Sequence, residues 1–433
     1  MHANDDIDCC GKTPTGPEGH DRRTFLTSSV LATGAFALGG PLGARAPVAA
    51  GRPGTATKVT VVLFQRGGAD NLNLYAPTGD ANYALLRPTI GITPPGQIGT
   101  VVGLPMNATF SMNPALAGVH AAYTAPASSA GIVHAVGYQR YNRSHFESQD
   151  LYETALQAGA AAEGWINRHL QVTAAPGDAP VRGLALTGAL PRSMYGTFPC
   201  FAVGSTADLA FLGLPDSRLF LEAITDSTPT GGMLPQQQLA YQSGADAFDL
   251  IDLFASLHPT TYVPANGAVY PAGALGKALR EVAEAIKADL GVEIFAVDHN
   301  GWDHHAGLVA RIGTLATELN QAITAFFTDL GAASSDVALV TMSEFGREVQ
   351  ENGSAGTDHG VGGAMLVMGG PTNGGQVHGV WPGLANAALE AGRFLAPSND
   401  FRDVLREVLD VHMGGTDPGI VFPSHTYTPI GVM

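Results

Sequence analysis

The chain has 433 residues, 45% of them apolar and 14% charged, with 22 lysines and arginines against 38 aspartates and glutamates. Its formal net charge of −16 repels nucleic acid and anionic membrane surfaces, so neither is expected as a partner. Three cysteines are too few for a disulfide framework, and no apolar run after residue 50 is long enough to span a bilayer of about 30 Å.

Residues 1–50 have the order of a bacterial export signal. Arg22-Arg23-Thr24-Phe25-Leu26 is a twin-arginine core, Val30 to Leu42 is a short apolar run rich in alanine and glycine, and Val48-Ala49-Ala50 offers small residues to a signal peptidase. Asp5, Asp6 and Asp8 ahead of the arginines are unusual in such a segment. The signal predicts passage in folded form through the twin-arginine (Tat) translocase, a periplasmic or secreted destination and no stable membrane insertion. Cys9 and Cys10 leave with it, so Cys200 is the mature chain's only cysteine. Residues 51–57 read as a flexible leader, and 58–433 as one large domain.

Three continuous apolar runs read as strands buried on both faces, each ending in a polar loop. Lys58 to Phe64 leads into Arg66-Gly67-Gly68-Ala69-Asp70, Ile294 to Val297 into Asp298 to His305, and Val337 to Thr341 into Ser343-Glu344-Phe345-Gly346-Arg347. Ala130 to Val136 and Ala364 to Met368 are two further candidates. Helices are expected between them. Ala274 to Leu290 is one, and Ala306 to Leu330 is another, with Leu308, Ile312, Leu315, Leu319, Ile323 and Phe327 along one face. The alternation predicts an α/β fold: a mostly parallel central sheet with helices on both faces and ligands at the carboxyl ends of the strands. Residues 200–273, rich in Gly, Pro, Ser and Gln, read as a loop-rich insertion.

The chemistry-bearing residues fall at those strand ends. Asp70, after two glycines, suits a metal ligand or a turn carboxylate. Asp303 and His305 point to the same side of an extended segment and could share a divalent metal. His299 and His304 are weaker candidates. Glu344 suits a ligand or a general base, and Arg347 a bidentate clamp on an anion or an ion pair at a helix end. In the glycine-rich stretch 353–363, His359 is a ligand candidate, and Asp358 either orients it or binds directly. Arg143-Ser144-His145-Phe146-Glu147 opens a helix with Phe146, Leu151 and Ala155 on its apolar side. Ser144 and Glu147 fit a capping box, and Ser144 equally fits a nucleophile in the positive potential of a helix start. There is no G-x-S-x-G elbow, phosphate-binding loop, H-E-x-x-H or cysteine pair for zinc, and Cys200 is not in a sulfatase context.

Taken in order, Arg66-Gly-Gly-Ala-Asp70, Arg143-Ser-His-Phe146, Gly164-Trp-Ile-Asn167, Gly301-Trp-Asp303 with His305, Ser343-Glu-Phe-Gly-Arg347 and Gly356-Thr-Asp-His-Gly360 resemble a bacterial family, domain of unknown function 1501, across residues 58–412. Its members commonly carry twin-arginine signals, and it is placed in the alkaline phosphatase-like superfamily of metal-dependent hydrolases and mutases. The resemblance implies an alkaline phosphatase-like fold. It implies Asp70 as the first-strand metal ligand, Ser144 as the hydroxyl nucleophile, Asp303 and His305 as ligands of the other metal and His359 as the late histidine ligand. A superfamily Asp-His pair reads Glu344-Phe345 here. Glutamate can bind a metal and phenylalanine cannot, so one of two metal sites is altered, oxygen-rich or empty. The expected function is an exported hydrolase of small anionic phosphate or sulfate esters. It would use a divalent metal, zinc first, with Arg143 or Arg347 holding the anion. The alternative is a non-catalytic binding or surface-assembly protein that keeps the fold.

Overall fold

All five runs expected as strands form strands, because each can bury both faces. In chain order the central sheet has β1 (Val59–Arg66), β2 (Ala130–Gly137), β3 (Gly183–Leu186), β4 (Cys200–Ala202), β5 (Ile294–Asn300), β6 (Val337–Met342), β7 (Gly363–Gly369), β8 (Val377–His378) and β9 (Asn399–Asp400). The computed structural model describes residues 58–138, 142–156, 163–175, 178–179, 181–209 and 235–433; the expected signal (1–50) and leader (51–57) lie outside the described residues.

The strand order is β8-β2-β7-β6-β1-β5-β3-β4, with β9 also paired to β2. All pairings are parallel except those of β7, which runs antiparallel to β2 and β6. β1 sits centrally, with Leu63 beside Val297 of β5 and Thr341 of β6. Its side chains divide by the strand period of two. Val61 and Leu63 enter one core, and Val62 and Phe64 the other.

Helices cover both faces. They are α1 (Ala117–Thr124), α2 (His145–Thr154), α3 (Trp165–Val172), α4 (Pro235–Phe254), α5 (Ala274–Lys287), α6 (Leu308–Leu330) and α7 (Phe401–Glu407). From α1, α4, α5 and α6, residues such as Val119, Phe254, Leu279, Ile312 and Leu319 fill the first core. From α2, α3 and α7, Leu151, Trp165, Ile166 and Phe401 fill the second. Each such side chain contributes about 1.5–3 kcal/mol of burial, which fixes the sheet as a rigid platform under the loops at its carboxyl edge. Among the described residues, no helix is long and apolar enough to cross a membrane.

Two expectations change. The stretch 200–273 is not simply a loop-rich insertion where it is described: it contributes edge strand β4 and the 20-residue helix α4. A three-residue strand and a helix opening on Pro235 and three glutamines carry little local signal. Phe146 does not join the apolar face of α2; it is 87% exposed, while Leu151 and Ala155 are buried.

Candidate metal centre at the carboxyl edge of the sheet

The loops after β1, β5 and β6 meet because two glycines let them. Gly67 has φ +116°, and a Cβ there would stand 2.6 Å from the Asp303 nitrogen. Gly68 has φ +71°, and its Cβ would strike the Phe345 ring at 2.3 Å. Both positions are closed to ordinary side chains. Ser343 joins the turn to β6: its Oγ donates to the Gln65 carbonyl (2.8 Å) and accepts from the Ala69 nitrogen (2.9 Å). The 346–360 segment folds back on itself, with Arg347 bridged to His359 and the Glu348 nitrogen donating to the Asp358 carbonyl (2.9 Å).

These loops and the start of α2 bring three imidazoles onto one carboxylate. His145, Asp303 and His359 each offer a ligand atom within 4.8 Å of the others. His305 adjoins it, with Nε2 at 3.0 Å from Asp303 Oδ1 and 3.0 Å from His359 Nε2. His359 Nε2 lies 3.4 Å and His145 Nε2 3.6 Å from the Asp303 oxygens.

The far nitrogens explain the arrangement. His359 Nδ1 donates to the Arg143 carbonyl (2.8 Å), His305 Nδ1 to Asp358 Oδ1 (2.8 Å) and His145 Nδ1 to Glu344 Oε1 (2.9 Å). A carbonyl or carboxylate oxygen can only accept, so each Nδ1 carries a proton. In the neutral rings every Nε2 is then a bare lone pair, and two of them face each other at 3.0 Å. Only a proton or a metal cation relieves that contact. Two nitrogens held tetrahedrally at about 2.0–2.1 Å from a metal stand about 3.3 Å apart, so the residues fit a divalent ion. Backing each metal-facing imidazole with an acceptor is how proteins set its tautomer.

Protons take the cation's part where none is bound. Hydrogen bonds to Asp303 and Glu344 push His145 up to about 9 against the effect of burial. Burial pushes the Asp303 carboxyl up, but bonds from His145, His359 and Arg347 outweigh it and hold it well below the usual carboxylate range. The Glu344 and Asp358 carboxyls are lowered in the same way, chiefly by His145 and His305.

The remaining expected residues divide into three groups. Glu344 and Asp358 orient imidazoles instead of facing the centre. Glu344 is buried and also accepts from the Gly67 nitrogen (2.8 Å) and Gln149 (3.0 Å). Asp70 lies apart, fully buried, its oxygens taken by Arg87 Nη1 (2.7 Å) and Thr357 Oγ1 (2.9 Å). Arg347 is also buried and is spent on the carbonyls of Gly67, Gly68, Trp302 and Thr357 and on Asp303 Oδ1 (2.5 Å). It positions Asp303, and its side chain is wholly buried, so it presents no donor at the surface to an external anion.

Ser144 is the N-cap of α2, yet its side chain makes no capping bond, so the expected capping box is not formed. Asn142 replaces it, accepting from the Ser144 nitrogen (2.7 Å) and donating to Glu147. Arg143 is exposed, with its guanidinium over the Phe394 ring at 4.9 Å. His304 is buried and lowered to about 4 by burial and Arg347. His299 is buried 3.5 Å from Glu318, and neither His299 nor His304 belongs to the cluster of three.

His145 is the residue that sequence reasoning passed over. It stands inside the Arg143-Ser-His-Phe146 motif, beside a serine that a helix start equally favours. The signal was there in the form of a histidine at the N-terminus of an amphipathic helix next to a strand-end carboxylate. Phe345 packs against His145 (5.0 Å between rings) and His359 (4.7 Å), walling the cluster where a second histidine was absent.

A family model described as protein of unknown function (DUF1501) matches residues 57–422. No curated protein matches the chain in sequence. Among solved structures it is similar to an alkaline phosphatase from the Antarctic bacterium TAB5, at 10% identity and a TM-score of 0.33 over 83% of this chain and 99% of that one. It is also similar to the C-terminal periplasmic domain of EcEptC from Escherichia coli in complex with Zn, at 12% identity and a TM-score of 0.34 over 87% and 90%. Likenesses this distant carry no argument about chemistry, which rests on the side chains above.

Proposed function

The chain belongs to this family of proteins of unknown function, and from that premise we propose that it is an exported, metal-dependent hydrolase of phosphate or sulfate esters. The observation that carries the reading is the convergence of three imidazole Nε2 atoms on Asp303, each ring with its Nδ1 already held. His145, His305, His359 and Asp303 would hold one divalent ion, and a nitrogen-rich set with one carboxylate suits zinc. Such an ion lowers the pKa of a bound hydroxyl or water and offsets the charge of ester oxygens.

The chain's own groups do the rest. Ser144 opens α2, where the amide N–H groups of the first turn have no intrahelical acceptor and favour an anion. Its hydroxyl caps nothing, and it follows directly on Arg143, whose carbonyl holds His359. In the proposed reaction, the bond from Ser144 Oγ to phosphorus or sulfur forms as the bond to the ester oxygen breaks. The departing alcohol takes the proton the serine gives up, and water repeats the exchange to free the serine. The exposed Arg143 pairs with the non-bridging oxygens. Arg347 has the prior task of holding Asp303, and Glu344 and Asp358 keep the rings aimed.

The test is turnover of aryl phosphates and aryl sulfates by the mature chain, with and without chelator. Turnover should vanish on chelation and return with zinc. Ser144→Ala should keep the metal and lose turnover. A metal-loaded chain inert toward both ester classes, yet tightly bound to a glycan or protein partner, would favour the non-catalytic alternative, for which Phe345 is the motive. Export is proposed on Arg22-Arg23: replacing both with lysine should leave the precursor inside the cell.

A further inference from the structure

Two of the loops that carry the proposed ligands are tied together at one side chain outside the cluster. Residues 352–357 turn back against the 304–308 segment. The Gly307 and Leu308 nitrogens donate to the Ser354 (3.0 Å) and Ala355 (2.8 Å) carbonyls, and the Thr357 nitrogen donates to that of His304 (3.1 Å). Asn352, half-buried, opens this turn. Its Oδ1 accepts from the Ser354 (2.9 Å) and Gly356 (3.1 Å) nitrogens. Its Nδ2 donates to the His305 carbonyl (2.9 Å) and to Asp358 Oδ1 (3.3 Å). An asparagine amide has two donor hydrogens and two acceptor lone pairs, and all four are used here. The partners also fix which way the amide points, since a flipped group would set donors against donors and acceptors against acceptors.

The two ends of that amide have separate tasks. A residue that only shapes a turn needs its side-chain oxygen alone. The nitrogen reaches His305 at two points. It grips the backbone carbonyl directly. It also shares Asp358 Oδ1 with His305 Nδ1 (2.8 Å), so the acceptor that orients the ring is itself held. Burial pushes the Asp358 carboxyl up, and bonds from His305 and Asn352 outweigh it and keep it ionised as an acceptor. Residues that hold a ligand's partner tune the affinity of the site without touching the ion.

We propose that Asn352 is a positioning residue of the metal centre, holding His305 by its carbonyl and, through Asp358, by its ring. This rests on the metal-dependent reading above and adds to it a residue that does not face the ion.

The test uses two substitutions that keep an oxygen to accept in the turn and remove the amide nitrogen. Zinc affinity of the mature chain is measured by competition with a chelating dye. Asn352→Asp and Asn352→Ser, the second without added charge, should each weaken binding about 10–100-fold, with the circular dichroism spectrum unchanged. Because Asn352 acts partly through Asp358, the losses for Asn352→Ser and Asp358→Ala should combine to less than their product in the double variant. Native affinity in either single variant, as expected of a residue that only shapes the turn, overturns the proposal, and so do losses that multiply in full. A second readout needs no metal. In the NMR spectrum of the metal-free chain, the His305 Nδ1–H signal, identified by its loss in His305→Gln, should exchange with solvent faster in both Asn352 variants. A native chain that takes up no zinc would sink the metal reading alone, and this signal would then decide for Asn352: unchanged exchange overturns its role.

Discussion

Asp70 and Asp303 follow neighbouring strands, sit beside glycines and look alike as candidate ligands, yet the fold treats them in opposite ways. Asp70 is fully buried with each oxygen paired, and the rest of Arg87 is spent on the Val349 (3.0 Å) and Glu348 (2.8 Å) carbonyls. That network is closed. Asp303 has a side chain 45% exposed and faces three ring nitrogens whose other ends are all tied down. A buried carboxylate with every bond made is a fixture of the fold. A half-exposed carboxylate ringed by imidazoles whose inner nitrogens need a proton or a cation is a site.

The sharpest way to break this contrast is to remove each carboxylate in turn. Asp303→Ala should abolish stoichiometric metal binding and turnover while the chain stays folded, as read by metal content and circular dichroism. Asp70→Ala leaves Arg87 buried and unpaired, so urea denaturation should show a loss of about 3–5 kcal/mol, with metal retained in the folded fraction. If Asp70→Ala instead lost the metal at unchanged stability, the two roles would have to be exchanged.

A smaller effect is expected one layer out. Asp358→Ala frees His305 Nδ1 and should weaken metal affinity about 10–100-fold without abolishing it, measurable by competition with a chelating dye. An effect as large as that of Asp303→Ala would make Asp358 a direct ligand.

The mildest test is pH. Without metal, His145 holds its proton up to about 9 through its bonds to Asp303 and Glu344, and a metal must displace that proton. Apparent metal affinity should therefore rise with pH and level off above about 9. The linked stability has the opposite sign in the metal-free chain. The raised His145 adds stability in full below its ordinary value of 6.5, and that gain is lost as pH rises through about 9. The rise in melting temperature on adding zinc should thus be larger at pH 9 than at pH 6, and a larger rise at pH 6 would contradict the cluster's proton bookkeeping.

Much of the platform was legible because fully buried strands must be written as unbroken apolar runs, as in Val59 to Phe64 and Val337 to Met342. The helical face of α6 was legible in the same way, with Leu308, Ile312, Leu319 and Ile323 all buried. Strand direction was not legible: Ala364 to Met368 reads like its neighbours but runs antiparallel, since an apolar run carries no arrow. At the site, residue types pointed to Asp303, His305 and His359. What distinguishes a ligand from its support is which nitrogen faces inward, and that depends on partners far apart in sequence, such as Arg143 for His359. Arg347 and Asp70 misled for the same reason, because their partners include backbone carbonyls and Arg87, which no motif announces.

The central claim is that His145, His305, His359 and Asp303 hold one divalent ion. Inductively coupled plasma mass spectrometry on the purified native chain tests it most directly, beside Asp303→Ala prepared in the same way. The account predicts close to one divalent metal ion per native chain and none in the variant. A folded native chain that stays metal-free in excess zinc, or a variant with full metal content, would contradict it.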